Sequence, residues 1–374
     1  MLRQAWHMMR NFREPTAPLN VAVDITSRCN SRCVYCEVWK KKDFSKDLTP
    51  ADVDLIVDQA EQAGIRNIII SGGEATVYKD LFRLLRDLKQ RNFHVTLLTN
   101  ALGFKPGIGQ DKIDVLNECV GNIQFSLDSA DQKRYQELRG VPGVDRVARA
   151  LDVITGPKRA LSCVVSSENY WEIDAIIRFG AEHRADYVGF QPLNVATVFF
   201  DIPVLEGKEQ YLLTEEKFAA LREALEGGIK LARELGVDNN LSQLMTWIEP
   251  FFQYSTVKGE DYFFNHVPGL KNFKCVFPFQ SVYINAEGEM TPCRLLPSVG
   301  NVKGKNFIEE WRTNPGMNEI RDNLKRGKYY EECKTCYCQF PPNLIYSLML
   351  DPIGNYQLLR HIMPDAMWRA RKFL

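Results

Sequence analysis

Residues 29–36 read CNSRCVYC and place three cysteines at the spacing C-x3-C-x2-C, directly after an apolar run at residues 19–25. Three thiolates this close together can bind three irons of a four-iron cluster and leave the fourth iron without a protein ligand. From the frequency of 10 cysteines in 374 residues, chance predicts roughly 0.007 occurrences of this spacing. A zinc knuckle is the less favoured alternative, because zinc sites pair two short Cys or His elements and no histidine lies nearby.

The composition limits the partners of this chain. Lys plus Arg and Asp plus Glu balance at 47 each, so no net charge attracts nucleic acid or an anionic membrane. Residues 1–13 are basic but lack the apolar core of a secretion signal, and no apolar run approaches the ~18 residues of a membrane span. We therefore predict a cytoplasmic protein that binds no nucleic acid, in which clustered cysteines bind metal rather than form disulfides.

Short apolar runs alternate with amphipathic segments from residue 20 to residue 192, which predicts six strand-helix units. Strands joined by helices in this rhythm are parallel, and right-handed crossovers curve the sheet towards a barrel. Six units are too few for the closed eight-fold barrel. The predicted fold class is therefore α/β, an open, partial (βα)6 TIM-like barrel. The predicted strands are residues 19–25, 65–70, 94–98, 123–127, 160–165 and 187–191, and the first helix starts at Thr49-Pro50.

Polar residues follow several of these strands, at the carboxyl end where parallel barrels carry their functional groups. After the second strand come Gly72, Gly73 and Glu74. The glycines allow a close backbone approach, and the carboxylate can accept hydrogen bonds from an ammonium group. The other candidates at the same rim are Thr99, Asn100, Ser126, Asp128 and Gln191. Turn capping is the alternative role for the Asn and Ser residues.

Cys29, Cys33 and Cys36, with the aromatic Tyr35 just before the third cysteine, resemble the cluster-binding motif of the radical S-adenosylmethionine (SAM) superfamily. In that family SAM chelates the open iron, and the reduced cluster cleaves it to a 5'-deoxyadenosyl radical. The resemblance implies that Glu74 of the GGE motif binds the amino group of SAM. It further implies a site built from Tyr35 beside the adenine, Thr99, Asn100, Ser126 and Asp128 at the ribose and carboxylate, and Gln191 near adenine and substrate. A reductase or flavodoxin-type protein would donate the electron.

A second set of cysteines lies far downstream. Cys275 and Cys293 flank a predicted β-hairpin, and Cys333 and Cys336 form C-x2-C with Cys338 close behind. Four thiolates satisfy either a structural zinc ribbon or a fully ligated cluster, and the spacing alone does not choose between them. C-x12-G-x4-C followed by a distal C-x2-C is similar to the SPASM and shorter twitch extensions of radical SAM enzymes, which implies an auxiliary 4Fe-4S cluster. Cys338 either replaces Cys336 as a ligand or only packs.

The chain is predicted to have four segments. These are an N-terminal extension (residues 1–18), the partial barrel with its following helices (19–258), a twitch- or SPASM-like auxiliary cluster domain (259–340) and a helical tail (341–374). We expect the tail to pack on the barrel. Contact of this basic, amphipathic segment with a membrane surface is the less favoured alternative.

The resemblance implies a radical SAM oxidoreductase with a second cluster that accepts the electron left on the substrate. The expected reaction is a net two-electron oxidation of a small-molecule, sugar or lipid alcohol, as in similar alcohol dehydrogenases of aminocyclitol biosynthesis. Peptide crosslinking or thioether formation is the alternative, although such enzymes commonly carry a recognition domain ahead of the barrel. A non-catalytic iron-sulfur carrier would not need the GGE motif. No catalytic base is identified, since Asp24 is merely located at the rim.

Overall fold

Strands and helices alternate along the first half of the chain, as the sequence predicts. The structure is a computed structural model that describes residues 10–193, 198–199, 202–203, 209–254, 262–266, 273–336, 348–349 and 351–353. The six strands are β1 (Asn20–Asp24), β2 (Asn67–Ser71), β3 (His94–Thr99), β4 (Asn122–Ser126), β5 (Lys158–Val165) and β6 (Tyr187–Pro192). The helices between them are α1 (Pro50–Gln62), α2 (Leu81–Gln90), α3 (Gln110–Cys119), α4 (Gln132–Arg139), α5 (Val144–Val153) and α6 (Ile173–Glu182).

Local chemistry explains where α1 begins. The side chain of Thr49 accepts a hydrogen bond from the backbone N–H of Asp52, and the Asp52 carboxylate accepts one from the backbone N–H of Thr49. Pro50 occupies the first helical turn, where its missing N–H leaves no hydrogen bond unmade. The predicted start at Thr49-Pro50 is therefore confirmed.

Helix α4 was not among the sequence predictions. Its sequence QKRYQELR is strongly polar, and Tyr135, Leu138 and Arg139 are its buried residues. Such a short segment lacks the repeated apolar stripe by which amphipathic helices are recognised. Gly140, with φ +71°, ends it in the left-handed conformation.

The six strands pair in parallel and in chain order, from β1 to β6. The outer neighbour of β1 is a strand from the C-terminal part of the chain rather than β6, so the sheet is not closed. This confirms the open, partial barrel. Alternate side chains such as Ile68, Ile70 and Val95 are buried in one large apolar core beneath the helices.

The C-terminal part continues the same sheet. After a short hairpin of β7 (Val198–Phe199) and β8 (Ile202–Pro203) come α7 (Phe218–Leu235) and α8 (Leu241–Phe252), then β9 (Ser281–Ile284), β10 (Glu289–Thr291), β11 (Gly300–Asn301), α9 (Phe307–Thr313) and α10 (Pro315–Lys325). Strands β9 and β10 form the predicted hairpin, and β9 pairs in parallel with β1, with Tyr283 opposite Ala22. Met290 and Trp311 belong to the same core as the barrel residues. The sheet and core therefore run across the predicted boundary at residue 259.

Two segments of the chain are described only in small part. Most of residues 194–207 and of the predicted tail at residues 341–374 lies outside the described residues. Among the helices that are described, none combines the length and the apolar character needed to cross a membrane.

Candidate iron-sulfur and SAM site

The first three cysteines share one loop directly after β1. Cys29, Cys33 and Cys36 form no disulfide bond and are half-buried. Ser31 stands between them: its backbone N–H donates to Cys29 Sγ at 3.4 Å, and its hydroxyl lies 3.3 Å from Cys33 Sγ. Burial raises the pKa of Cys29 to about 12, and the nearby charges of Glu74, Cys33 and Cys36 contribute to this shift. The three sulfurs thus occupy one site, whose thiols lose their protons when they bind metal.

The donor set fits a four-iron cluster. Each cysteine of such a cluster binds a different iron, so the sulfurs need not converge on one ion. Over the described ranges, no three His, Cys, Asp or Glu side chains are placed to hold a single metal ion. A zinc knuckle would gather four ligands around one ion.

The C-terminal end of helix α4 forms hydrogen bonds with the cysteine loop. The backbone N–H groups of Arg32 and Val34 donate to the carbonyls of Arg139 and Leu138, each at 2.9 Å. The Ser31 hydroxyl also donates to the carbonyl of Arg139, at 2.9 Å. These bonds use carbonyl groups at the end of a helix that have no partner within it. The unpredicted helix is therefore part of the cluster site.

The GGE segment packs against the beginning of the same loop. The N–H of Gly73 donates to the carbonyl of Thr26 at 2.7 Å, and the N–H of Glu74 donates to that of Arg28 at 2.8 Å. A Cβ on Gly72 would lie 2.4 Å from the Thr26 carbonyl oxygen, and one on Gly73 would lie 2.4 Å from the Arg28 oxygen. The sequence predicted a close approach at these glycines, and here the approaching group is the backbone of the cysteine loop.

Glu74 contacts two other predicted site residues, Thr99 and Asn100. It is only 3% exposed, and its Oε1 accepts hydrogen bonds from the hydroxyl of Thr99 at 2.6 Å and from that of Thr76 at 2.6 Å. Its Oε2 accepts from the backbone N–H of Asn100 at 2.7 Å, and the Asn100 side chain donates to Asn30 at 2.8 Å. The carboxylate thus ties the ends of β2 and β3 to the cysteine loop. Its contact with the amino group of SAM stays a prediction.

Asp128 accepts hydrogen bonds from Tyr35 and from two other groups inside the protein. The Tyr35 hydroxyl donates to Asp128 Oδ2, and Arg139 Nε forms an ion pair with the same oxygen at 2.7 Å. Asp128 Oδ1 accepts from the backbone N–H of Val164 at 2.9 Å. Burial, with the negative charge of Asp128, raises the pKa of Tyr35, so its phenol stays protonated. Since the Asp128 side chain is wholly buried among protein donors, its predicted contact with SAM is not favoured by this arrangement.

The remaining two rim candidates lie at strand ends. Ser126 is the last residue of β4 and is half-buried, and Gln191 is an exposed residue near the end of β6. Because these strands are parallel, both lie at the carboxyl edge of the sheet, where β1 leads into the cysteine loop.

The second set of cysteines is also gathered in space. Cys275, Cys293 and Cys333 are free and half-buried, and they pack around one small apolar cluster that includes Leu296. Burial raises the pKa of Cys333 to about 12, and the neighbouring Cys293 contributes. Cys336 is disulfide-bonded in this structure, and Cys338 lies outside the described residues. The prediction that the clustered cysteines form no disulfides is therefore wrong at Cys336. Cys275, Cys293 and Cys333 can provide three ligands of a four-iron cluster, and Cys336 could be the fourth only after its disulfide is reduced.

An arginine contact links the segment after Cys293 to the end of β1, which leads into the first cysteine loop. Arg294, the residue after Cys293, lies with its Nη2 3.4 Å from Oδ1 of Asp24, and its guanidinium carbon is 4.6 Å from the ring centre of Tyr283. The Tyr283 hydroxyl donates to Asp24 Oδ2. Asp24 was a rim residue in the sequence, whereas its partners Arg294 and Tyr283 were not predicted. The available signal was the arginine adjacent to a predicted cluster ligand.

Comparisons with known proteins agree with this site. A family model described as the radical SAM superfamily matches residues 23–179, and a model described as the SPASM iron-sulfur cluster-binding domain matches residues 275–337. The chain therefore belongs to the radical SAM superfamily and carries a C-terminal SPASM-type domain. Its cofactors are 4Fe-4S clusters, one of them auxiliary, and SAM.

Curated relatives differ in how much of the chain they match. A probable GTP 3',8-cyclase of Pyrococcus horikoshii is 28% identical over 169 residues, which is 44% of this chain and 53% of that protein. An AdoMet-dependent heme synthase of Methanosarcina barkeri is 23% identical over 333 residues, 86% of this chain and 91% of that protein. The chain thus spans about half the length of the first cyclase relatives it matches, whereas a probable GTP 3',8-cyclase of Archaeoglobus fulgidus is 21% identical over 90% of its length.

Solved structures share the fold. Streptococcus suis SuiB bound to S-adenosylmethionine superposes with a TM-score of 0.62 at 19% identity, covering 92% of this chain and 78% of that one. Native anSMEcpe with bound AdoMet superposes with a TM-score of 0.61 at 16% identity, covering 96% of this chain and 100% of that one. At these identities the likeness concerns the fold alone.

Proposed function

We propose that this enzyme carries out a net two-electron oxidation of a small-molecule, sugar or lipid alcohol. When bound, SAM and the reduced N-terminal cluster supply a 5'-deoxyadenosyl radical that removes one hydrogen atom from the substrate. The chain would position the substrate beside this site and exclude water, and a bound auxiliary cluster would supply an acceptor for the second electron as the hydroxyl proton is lost. A reductase or flavodoxin-type protein in the cytoplasm is the proposed electron donor.

The contact between Asp24 and Arg294 carries this proposal. Asp24 ends β1, five residues before Cys29, and Arg294 follows Cys293 directly. Their side chains are 3.4 Å apart, so one ion pair spans from the segment that holds an auxiliary ligand to the strand that leads into the SAM-cluster loop. This proximity supports electron transfer from a substrate bound beside one cluster to the other. A cluster with four protein ligands has no open iron for substrate, which also favours electron transfer.

Anaerobic reconstitution tests the cluster roles. The wild type should contain about eight irons, from two four-iron clusters, and should form 5'-deoxyadenosine with SAM and dithionite. Cys275→Ala/Cys293→Ala should keep this SAM cleavage, whereas Cys29→Ala should lose it. Four irons and one zinc would exclude the auxiliary cluster as electron acceptor.

The reaction itself is tested on a low-molecular-mass extract of the source cells, compared before and after incubation by mass spectrometry. We expect one metabolite to be replaced by a product that lacks two hydrogens, with wild type but not with Cys275→Ala/Cys293→Ala. Equal product formation by the double variant would mean that the auxiliary cluster is structural. Activity confined to the peptide fraction would instead establish peptide modification, and intact clusters without SAM cleavage would indicate an electron carrier.

A haem precursor is the second candidate substrate. The AdoMet-dependent heme synthase matches this chain over 91% of its own length, compared with 53% for the cyclase of Pyrococcus horikoshii and 90% for that of Archaeoglobus fulgidus. Titration of the reconstituted protein with an iron porphyrin, followed by its visible absorbance, tests this candidate. A saturable spectral shift that wild type and Cys29→Ala share would support it, and the absence of any shift would remove it.

A further inference from the structure

The segment between β1 and α1 concentrates positive charge around the first three cysteines. Residues 28–46 contain six Lys or Arg against two Asp or Glu, so the formal charge of this segment is +4, whereas that of the whole chain is zero. Like charges held this close repel each other and work against a compact state. An acidic partner outside the chain would relieve this repulsion.

Two of the six cations have partners within the chain, and four do not. Lys40 Nζ lies 2.6 Å from a carboxylate oxygen of Glu37. Lys41 Nζ lies 3.0 Å from Asp47 Oδ1 and 2.6 Å from Glu287 Oε1. The other four are exposed, and no carboxylate of the described residues lies within ion-pair distance of them; this basic surface consists of Arg28, Arg32, Lys42 and Lys46. One exposed acidic residue of the segment stands against these four, so the surface stays positive.

Contacts within the segment fold it back onto the cysteine loop. The guanidinium carbon of Arg28 is 4.1 Å from the ring centre of Phe44, which brings the two ends of the segment together. In the middle of the segment, the indole N–H of Trp39 donates to the backbone carbonyl of Cys33 at 3.2 Å. The basic surface is therefore carried by a segment that packs directly on a residue whose thiolate is a predicted cluster ligand.

A cation from the C-terminal part of the chain lies beside the same surface. The ammonium group of Lys303 donates to the backbone carbonyls of Lys46 and Asp47. Because its partners here are carbonyl groups, Lys303 adds positive charge next to Lys46. The concentration of charge is thus a property of the folded chain as well as of one stretch of sequence.

We propose that the basic surface is the docking site of an acidic one-electron donor protein of the flavodoxin class. One electron passes from the reduced flavin to the cluster on Cys29, Cys33 and Cys36, and no bond forms or breaks. Opposite charges steer the two proteins together and set their orientation, and small, weak interfaces are typical of electron-transfer partners. The inference rests on the electron donor of the proposed function, but not on the substrate or on the role of the auxiliary cluster.

The experiment measures the association of anaerobically reconstituted protein with a purified flavodoxin by surface plasmon resonance, with neither SAM nor substrate added. The wild type should bind at low salt, and its association rate should fall as the salt concentration rises towards ~1 M, where charges act over only about 3 Å. Lys42→Glu/Lys46→Glu should lower the association rate at low salt about tenfold, which lies within the range of electrostatic steering. At the high salt concentration this difference should disappear.

Matched variants of equal iron content separate this surface from net charge. Lys89→Glu/Lys230→Glu makes the same change of charge at exposed positions on α2 and α7 and should associate at the wild-type rate. Lys42→Arg/Lys46→Arg keeps the charge of the surface and should also associate at that rate. A wild-type rate in Lys42→Glu/Lys46→Glu, or an equal loss in Lys89→Glu/Lys230→Glu, would overturn the proposal.

A membrane surface is the other acidic partner that the experiment distinguishes. Wild-type protein that binds vesicles of phosphatidylserine and phosphatidylcholine but not flavodoxin would overturn the proposal, because the basic surface would then contact anionic lipid. Dithionite-driven SAM cleavage by the wild type, measured in parallel, tests the proposed function without a docking partner. Flavodoxin binding that depends on Lys42 and Lys46 but is accompanied by no SAM cleavage would support the docking site and contradict the proposed reaction alone.

Discussion

Gly73 offers a direct test of how the GGE segment builds the cluster site. A methyl group at this position would meet the carbonyl oxygen of Arg28 at 2.4 Å and that of Ser27 at 2.7 Å. Both obstacles are backbone atoms, so the cysteine loop itself has to move. Gly73→Ala should therefore cost about 1–3 kcal/mol for overpacking. Loss of the hydrogen bond from Gly73 to Thr26 should add about 0.5–1.5 kcal/mol.

Two other glycines separate the cost of a steric clash from the cost of a left-handed backbone conformation. Gly72 combines a φ of +151° with a Cβ position 2.4 Å from the Thr26 oxygen, so Gly72→Ala should be at least as harmful as Gly73→Ala. Gly64 has a φ of +75° but no atom within 4 Å of an added Cβ. Gly64→Ala should cost only the left-handed conformation, about 1–2 kcal/mol. It is the matched control for a glycine substitution without a clash.

Urea unfolding and iron content measure these effects together. We expect Gly73→Ala to retain about four irons, those of the auxiliary cluster, and to lose SAM cleavage, while Gly64→Ala keeps both clusters. If Gly73→Ala loaded full iron and unfolded at the same urea concentration as the wild type, the close approach of the two segments would not matter for cluster binding.

Three further substitutions test other parts of the site. Asp128→Asn leaves the buried Arg139 without its ion pair and should cost about 3–5 kcal/mol of unfolding free energy. The control Asp131→Asn, at the start of α4, should be nearly neutral, because Asn caps helices as well as Asp. Equal losses in the two variants would contradict this prediction. Asp47→Asn weakens the bonds that its carboxylate accepts from the Ser27 hydroxyl at 2.6 Å and from the Ser27 N–H at 2.9 Å. It should lower the free energy of unfolding by about 1.5–3 kcal/mol. The amide hydrogen of Ser27 should also exchange faster than in the wild type, whereas the exposed control Asp43→Asn should leave this exchange unchanged. Burial raises the pKa of Tyr135 to about 12, so the folded state keeps a proton that the unfolded state loses above pH ~10, and stability falls as the pH rises from that value towards 12. Tyr135→Phe should abolish this part of the loss of stability. Unfolding of both proteins at pH 9 and pH 11 tests this, because the pH-dependent difference between them should be present only at pH 11.

Much of the site could be predicted from short stretches of sequence. Cluster ligands on one loop must be close in sequence, so Cys29, Cys33 and Cys36 are recognisable without a structure. The alternation of apolar and amphipathic segments likewise predicted the six units, because each strand and helix buries its own apolar face. The start of α1 at Thr49 follows from capping chemistry within four residues.

Other features depended on which distant segments pack together. The role of Glu74 as a link to Thr99 and Asn100, and that of Asp128 as a buried partner of Arg139, follow from neighbouring strand ends in the folded sheet. Helix α4 could not be predicted from its polar sequence, because its stability comes from supporting the cysteine loop as well as from its own few apolar residues.

The sequence by itself determined the α/β fold class, the N-terminal cluster motif and the auxiliary cysteine set, because spacing and periodicity are local properties of a chain; the motif also resembles that of radical SAM enzymes. Only the tertiary structure decided that β9 joins β1 and that Arg294 meets Asp24 across 270 residues. Pairing over such a separation depends on which surfaces the whole chain can bury together, and no local pattern records it.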